Sequence, residues 1–356
     1  MSTVELVDEA GVEEFVGRVI GDTSAWMATT MSMIGDRLGL WQAMADSRPV
    51  SSTELAVRTS TAERYTREWL SSMAAHGYLT YDPDADRFAL PADHAPVLAI
   101  EGPAYLGGEH HALLGLTGML GKVIDAFRTG GGVPLDEYTA DWWHGLARST
   151  GRAFTHQLTQ QWLPAFPDVV GLLERGADVA DLGCGHGQAL IRLAREFPAG
   201  RYVGYDVHAD SITAARANAQ AAGVTDRVRF EVFDVSAGLP EDYDVITTFD
   251  VIHDSADPLG ILKTIRAALR PGGHYLCVDI NASHRLQDNA GPLGAYFYGI
   301  SVLFCMTSSL ASGGAGLGTC GFNEHVARKL CAEAGFATVR KAEVEDPFNV
   351  LFQIRP

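Results

Sequence analysis

The stretch Val179-Ala-Asp-Leu-Gly-Cys-Gly-His-Gly187 decides the fold of the second half of the chain. A short apolar strand runs into Asp181, three glycines follow at alternate positions, and a helical pattern begins at Gln188. Glycine lets a backbone approach a ligand closely, and the start of a helix offers free N–H donors with partial positive charge. The stretch therefore predicts a ligand-binding turn at the carboxyl end of a strand.

A dinucleotide-binding turn is the main alternative for this stretch, and it requires the spacing G-x-G-x-x-G. Here Gly187 comes one residue early, and Gln188 stands where the last glycine belongs. The acid before the first glycine, Asp181, is also foreign to that pattern. A tighter turn behind an acid suits a ligand that has a cationic amino group and no pyrophosphate. A purely structural glycine turn is the second alternative.

The rest of this half alternates between strand-like and helical segments. Such alternation predicts an α/β fold, a parallel Rossmann-like sheet with helices on both faces. Two further strands close the chain and are near enough in sequence to pair antiparallel at an edge, which makes a sheet of seven strands. The predicted strands are 178–182, 202–206, 228–233, 245–249, 274–279, 338–344 and 349–354, and the main helices are 188–197, 211–222, 259–269 and 324–334.

Two acids end the second and third of these strands. Asp206 lies 19 residues after Gly187, where a carboxylate accepts hydrogen bonds from the two hydroxyls of a ribose. Its alternative role is to cap the helix that follows. Asp234 is placed to accept the exocyclic amine of an adenine, with Val235 or Phe233 beside the ring, or else to cap the next turn.

The fourth strand ends at the same predicted crevice, because ligands of open α/β sheets bind at the carboxyl ends of the strands. Phe249 and Asp250 end this strand, and we expect both beside the ligand. His253 follows them. A histidine there can take a proton from a reacting group, or it can simply bond a loop carbonyl.

The first 95 residues predict two capped helices and a hairpin, which is a winged-helix pattern. Ser51 with Glu54 and Ser60 with Glu63 have the spacing of capping boxes. The second helix is expected to bury Tyr65, and its other predicted buried residues are Trp69, Leu70 and Met73. Strands at 78–81 and 87–90 flank the acidic turn 82–86. Residues 113–127 are predicted as one further helix.

The composition limits the possible partners. The formal net charge of −17 and the acidic wing oppose binding to nucleic acid, which counts against a winged-helix regulator, and to anionic membranes. No apolar stretch is expected to reach the length of a membrane span. The acidic residues 1–14 do not have the pattern of a signal peptide. Five widely spaced cysteines predict neither disulfides nor a metal site, so we expect a cytoplasmic protein.

The motif set resembles that of the class I S-adenosylmethionine-dependent methyltransferases. The resemblance rests on Asp181-Leu-Gly-Cys-Gly-His-Gly187, on Asp206 and Asp234, and on Leu269-Arg-Pro-Gly-Gly273. The winged-helix pattern makes the whole chain similar to the O-methyltransferase-like subgroup. His253 stands where those enzymes carry their catalytic histidine, although Ser255 replaces their usual tryptophan.

The resemblance implies S-adenosylmethionine as cofactor, held by Asp181, Gly183, Gly185, Gly187, Asp206, Asp234, Val235, Phe249 and Asp250. It implies a small acceptor, aromatic or heteroaromatic and of natural-product type, with Tyr296 and Tyr298 as wall residues and His253 as base. Methylation of an indole-type ring carbon or nitrogen is an alternative to oxygen. A regulator with a vestigial cofactor site is the alternative from another class. A homodimer is also implied, with domains at 1–95, 96–170 and 171–356, and Trp26, Met27, Met31 and Met33 in core or dimer interface.

Overall fold

A computed structural model describes residues 8–356, so the expectation for residues 1–14 falls partly outside the described residues. Internal contacts divide the chain into two compact units. The first runs to Leu114 and includes His144–Ser149, and the second comprises Gly115–Trp143 and Thr150–Pro356. The three-part division at residues 95 and 170 remains a proposal.

The first unit contains the predicted winged helix. Its core is built on Trp41, Trp69 and Leu70, which are buried. Helix α2 begins at the predicted capping box, in which Ser51 and Glu54 bond each other's backbone N–H. The elements are α1 (Glu9–Arg37), α2 (Ser52–Thr59), α3 (Glu63–Ala75), the antiparallel hairpin β1 (Thr80–Asp82) and β2 (Arg87–Ala89), and α4 (Ala95–Leu98).

Two predictions about α3 are wrong. Ser60 ends α2 with a left-handed backbone (φ +55°), and α3 starts after Ala62 with no side-chain cap. The carboxylate of Glu63 instead takes bonds from Ser52 and Arg67, so it does not form a capping box. Tyr65 is 81% exposed because the buried stripe runs through Thr66, Trp69, Leu70 and Met73.

Residues 113–127 form parts of two helices rather than one. Helix α5 (Gly107–Thr117) ends just before Gly118, and α6 (Leu120–Thr129) begins a new axis. Helices α7 (Ala140–His156) and α8 (Pro167–Glu174) follow. Gly130 ends α6 with a left-handed backbone, before α7 begins.

The second unit has the predicted seven-stranded sheet, in the order β5-β4-β3-β6-β7-β9-β8. The first five strands in sequence are parallel, and β9 runs antiparallel to β7 and β8. Strand order reverses beside β3, which places a crevice at its carboxyl end. The strands are β3 (Asp178–Leu182), β4 (Arg201–Asp206), β5 (Val228–Val232), β6 (Tyr243–Phe249), β7 (Leu269–Ile280), β8 (Thr338–Lys341) and β9 (Asn349–Arg355).

Helices cover both faces of this sheet, so successive strand residues are buried alternately in two cores. Val179 belongs to one core and Ala180 to the other. The helices are α9 (Gln188–Glu196), α10 (Ala209–Ala222), α11 (Pro258–Ala268), α12 (Pro292–Ile300), α13 (Met306–Ala311) and α14 (Glu324–Glu333), with a π-helical turn, Ser301–Cys305, between α12 and α13.

The segment Pro292–Ala311 corrects one expectation from the sequence. It is 20 residues long, and its length and apolar character match those of a membrane-crossing helix. The apolar 18-residue window within it is 44% buried inside the protein.

Candidate active site

The glycine turn has the backbone that its sequence predicts. Gly183, Gly185 and Gly187 all have positive φ angles, which L-residues with a Cβ rarely adopt. A Cβ on Gly183 would lie 2.6 Å from Val251, and one on Gly187 would lie 2.4 Å from the ring of Phe230. Helix α9 starts directly after Gly187, so its free N–H groups face the turn.

Asp206 ties this turn to the neighbouring strand. One carboxylate oxygen accepts the N–H of Gly185 at 2.8 Å, and the other accepts the N–H of His208 at 2.9 Å. Asp206 does not cap α10, because the cap is His208. Burial raises the pKa of Asp206. Since a carboxylate has about four acceptor positions, lone pairs remain for a ligand, and ribose binding stays a prediction.

Asp181 lies below the turn and is 2% exposed. It accepts a hydrogen bond from the Thr247 hydroxyl at 2.7 Å. Burial raises the pKa of Asp181 to about 7, so a positive group nearby would favour its ionised form. The side chain is therefore suited to act on a cation, as predicted from its place before the glycines.

Asp234 and Val235 lie at the exposed rim beyond β5. Asp234 is exposed and accepts the N–H of Ser236 at 2.9 Å, so it caps the short turn Val235–Ala237. Asp234 therefore has the capping role that was the alternative to adenine binding, and it uses one carboxylate oxygen for this contact. Val235 is partly buried against the sheet core. Adenine binding by this pair stays a prediction.

The end of β6 carries the other two predicted contacts. Phe249 packs on Phe154, with ring centroids 5.0 Å apart, and stacks on Trp162 at 6.3 Å. Asp250 has a left-handed backbone (φ +57°) and accepts a bond from Asn349 at 2.8 Å. Burial and then the charge of Asp279 raise the pKa of Asp250 to about 7.

His253 is 3% exposed and bonds Asp279 Oδ1 through Nδ1 at 2.7 Å. Its partner is therefore a carboxylate and not a loop carbonyl. Burial alone would lower the pKa of His253, but the carboxylate of Asp279 and the thiol of Cys305 more than offset burial and raise it well above its usual value. The pair of His253 and Asp279 therefore retains a proton at a position that is buried from solvent.

The sequence reading missed Asp279, although a signal was available. It lies in β7 between apolar residues of a strand buried on both faces, where an acid needs a partner. Its second oxygen, Oδ2, is buried and has no hydrogen-bond partner among residues 8–356.

Tyr298 lies at the edge of this region. It is 38% exposed, its hydroxyl accepts a bond from Asn289 at 3.0 Å, and it also bonds the thiol of Cys320. Cys320 is within electrostatic reach of His253. Tyr296 is partly buried, with its ring 6.0 Å from that of Phe297. Substrate contact by either tyrosine stays a prediction.

Trp143 is the other residue that the sequence reading missed. Its indole stacks on His208, with centroids 4.4 Å apart and ring planes 24° apart, directly beside the Asp206 contact. The indole also packs edge-to-face on the ring of Phe304, with ring centroids 5.8 Å apart. Phe304 precedes Cys305. The indole Nε1–H is buried and has no hydrogen-bond partner in the part of the chain that the structure describes. Trp143 thus extends from the Asp206 side of the crevice toward His253.

Negative groups dominate the crevice as a whole. Burial raises the pKa values of Asp181, Asp250 and Asp254 to about 7. Among the described residues, 8–356, no group of three His, Cys, Asp or Glu side chains is arranged to hold a metal ion. Because so many buried carboxylates repel an anion and attract a cation, the crevice fits a positively charged ligand.

We predict that Asp279→Asn lowers the pKa of His253, because the neutral amide no longer stabilises the imidazolium. An NMR titration of the His253 ring should show a fall of about one unit or more, equivalent to at least about 1.4 kcal/mol. Asp257→Asn, which alters an exposed helix cap, is the control and should leave the titration unchanged. An identical curve for Asp279→Asn would show that the carboxylate does not hold the proton on His253.

Comparisons with known proteins agree with this geometry. Residues 173–298 match the family described as a methyltransferase domain, and residues 26–99 match the Rv2258c-like winged HTH domain. The ubiquinone biosynthesis O-methyltransferase of Cereibacter sphaeroides (strain ATCC 17029) is 30% identical over 157 residues, which are 41% of this chain and 62% of that protein. The chain thus spans less than two thirds of this relative's length.

Solved structures share the fold over nearly the whole chain. An O-methyltransferase family protein from Burkholderia thailandensis has a TM-score of 0.66 at 18% identity, covering 99% of both chains. CalO1, a methyltransferase in calicheamicin biosynthesis solved with S-adenosylhomocysteine, has a TM-score of 0.67 at 16% identity and covers 99% of this chain and 100% of its own. The chain therefore contains a methyltransferase domain at residues 173–298 and an Rv2258c-like winged HTH domain at residues 26–99, and it shares the fold of these solved methyltransferases.

Proposed function

We propose that the protein transfers the methyl group of S-adenosylmethionine to a small aromatic or heteroaromatic acceptor. The observation that carries the proposal is the acidic crevice around the glycine turn, in which buried carboxylates have pKa values raised to about 7. A cofactor with a sulfonium and an ammonium group favours the ionised acids, whereas the pyrophosphate of a nicotinamide dinucleotide would be repelled. The charge of the crevice thus favours S-adenosylmethionine over a dinucleotide, as the spacing of the glycines does.

The proposed contacts follow from the placement of each side chain. Gly183, Gly185 and Gly187 let the backbone lie against the cofactor, and Asp206 offers its remaining lone pairs to the ribose. Asp234 lies at the rim that would receive the adenine. Trp143 supplies an aromatic face from α7, an element different from the loop in which Ser255 replaces the usual tryptophan.

The proposed base is His253, aligned by Asp279. When bound, S-adenosylmethionine supplies a methyl group on a positively charged sulfur. A positive charge nearby would lower the pKa of His253 and so favour the neutral imidazole that can accept a proton. His253 would then take the proton of an acceptor hydroxyl or amine, and Asp279 would stabilise the resulting imidazolium. Alignment of the reactants in a water-poor chamber supplies much of the rate enhancement.

An aromatic acceptor is supported by the wall of the second unit next to His253. Trp142 and Trp143 both contact Phe304, with ring centroids 4.5 and 5.8 Å apart. Tyr138 packs edge-on to the same ring and bonds the carbonyl of Leu303 at 2.7 Å. Flat aromatic walls favour planar ligands. Oxygen is the proposed methyl acceptor, and an indole-type carbon or nitrogen is the alternative, for which His253 would act later on the ring proton.

The decisive experiment is a methyl-transfer screen with S-adenosylmethionine labelled in its methyl group and a panel of phenols, hydroxyquinones and indoles. We expect label in at least one acceptor class. His253→Gln should lower turnover by about two to four orders of magnitude without loss of S-adenosylhomocysteine binding, because general base catalysis contributes that much. His156→Gln, at the end of α7, is the matched control and should retain full turnover.

Two outcomes would contradict this function. Failure to label any acceptor, by protein that binds S-adenosylhomocysteine, would favour a vestigial cofactor site. Full turnover by His253→Gln on a phenol would remove the proposed base and favour an acceptor that needs no deprotonation.

A homodimer in the cytoplasm completes the proposal. Helix α1 leaves large apolar side chains exposed along its length, whereas Met33 near its end is buried and Met31 is partly buried in the first unit. Such a surface favours pairing with an identical helix of a second copy. The exposed apolar residues of α1 are Val12, Phe15, Val16, Val19, Ile20, Trp26 and Met27.

All five cysteines are free and buried, which suits a reducing compartment.

Light scattering should give a mass twice the 38.2 kDa of one chain. Phe15→Ser combined with Ile20→Ser should shift the protein toward the single-chain mass, because both side chains would lie in the interface. The control Val57→Ser replaces an apolar residue that is 77% exposed on α2 and should leave the mass unchanged. A single-chain mass for the unmodified protein would contradict the dimer.

A further inference from the structure

A polar cleft of about 450 Å³ lies at the sheet edge where β7 pairs with β9. Its wall comes from the segment after β7, the start of α14 and the end of β8. Of its eleven lining residues only Ala282 and Val350 are apolar. Binding sites for aromatic molecules are mostly apolar, so this wall is suited to a strongly polar ligand.

The cleft is separate from the glycine-turn crevice. Most of its lining residues follow β7, which stands two places from β3 and three from β4 in the sheet. With a strand spacing of about 4.8 Å, β7 is roughly 10–14 Å from these two strands. Asn289 in the cleft wall donates to Tyr298, so the cleft borders a residue that is predicted to contact the acceptor, without sharing the proposed cofactor contacts.

Both carboxylates in the cleft wall are already neutralised. Glu324 takes two bonds from Arg328, at 3.0 and 2.8 Å, and an ion pair from Lys341 at 3.4 Å. Asp288 takes a bond from Arg285 at 2.9 Å and one from the Ser283 hydroxyl at 3.0 Å. Lys341 in the cleft wall and two arginines outside it thus pair with both carboxylates of the lining.

Two histidines supply the groups that remain open. The rings of His284 and His325 both line the cleft, with centroids 5.1 Å apart and planes tilted by 31°. Neither ring hydrogen-bonds another residue in the described part of the chain. The ammonium group of Lys341 has one ion pair, at 3.4 Å from Glu324, so most of its N–H donors remain available to a ligand. The open groups of the cleft are therefore chiefly donors.

We propose that this cleft is a binding site for a compact anion, the phosphate or carboxylate group of a small polar molecule, held by His284, His325 and Lys341. Charge-assisted bonds from an ammonium and two imidazoles to such a group are stronger than neutral ones. A metal ion is the less suitable occupant, since two imidazoles are open while both carboxylates are bonded to cations, and no three-residue metal group occurs within residues 8–356.

The test is calorimetric titration of the full chain at low ionic strength with inorganic phosphate and, separately, with succinate. We expect saturable binding of at least one probe. The double variant His284→Ala with His325→Ala, and the single variant Lys341→Ala, should each weaken that binding at least tenfold. Lys329→Ala removes the same charge from α14, outside the cleft, and should bind as the unmodified protein does.

Thermal melting and S-adenosylhomocysteine binding check that each variant is folded. A stronger response to phosphate than to succinate would identify a phosphate-bearing ligand, and the reverse a carboxylate. The proposal is overturned if neither probe binds, if the cleft variants bind like Lys329→Ala, or if the histidine pair binds zinc and no anion. None of these outcomes depends on methyl transfer.

Discussion

The hydrogen bonds from the carboxylate of Asp206 to two backbone N–H groups are the constraint on which the site depends. Gly185 belongs to the turn after β3 and His208 to the start of α10, so one side chain fixes the distance between two parallel strand ends. That distance defines the crevice at the strand-order reversal beside β3. The positive φ angles of the turn glycines are tolerated because no side chain has to fit there.

The charges of the buried side chains make the crevice favour a positively charged ligand. Buried acids with raised pKa values store protons that a cation can displace, and His253 holds a further proton against Asp279. A positive ligand would stabilise the ionised acids and destabilise the imidazolium at the same time. One binding event would thereby prepare both the cofactor site and the base, and the chemistry of the proposed methyl donor provides that charge.

Short sequence patterns predicted the structural elements that depend on interactions between neighbouring residues. The strands and helices of the second unit follow the sequence closely, because hydrophobic period, glycine turns and caps are encoded within a few residues. The Ser60–Glu63 cap was wrong because the Glu63 carboxylate instead bonds Ser52 of α2 and Arg67 of its own helix. The burial of Tyr65 was wrong because the packing of α3 in the first unit decides which of its faces is buried. The membrane-span expectation was wrong at 292–311, where α12 and α13 join into one apolar run.

Contacts between distant segments were harder to foresee. Asp279 lies 26 residues from His253, and Trp143 lies 65 residues from His208, so no spacing in the sequence links them. The open imidazoles at 284 and 325 are likewise adjacent only after folding. Residues predicted from motifs surround the glycine turn, whereas Asp279 and Trp143, which contact residues of that region, come from distant parts of the chain.

The central claim is that the Asp206-bound crevice holds S-adenosylmethionine, and calorimetric titration with S-adenosylhomocysteine tests it most directly. We expect the unmodified protein to bind, Asp206→Ala to bind at least tenfold more weakly, and Asp210→Ala, which removes an exposed charge from the first turn of α10, to bind normally. No binding by well-folded unmodified protein, or equal binding by Asp206→Ala, would contradict the account.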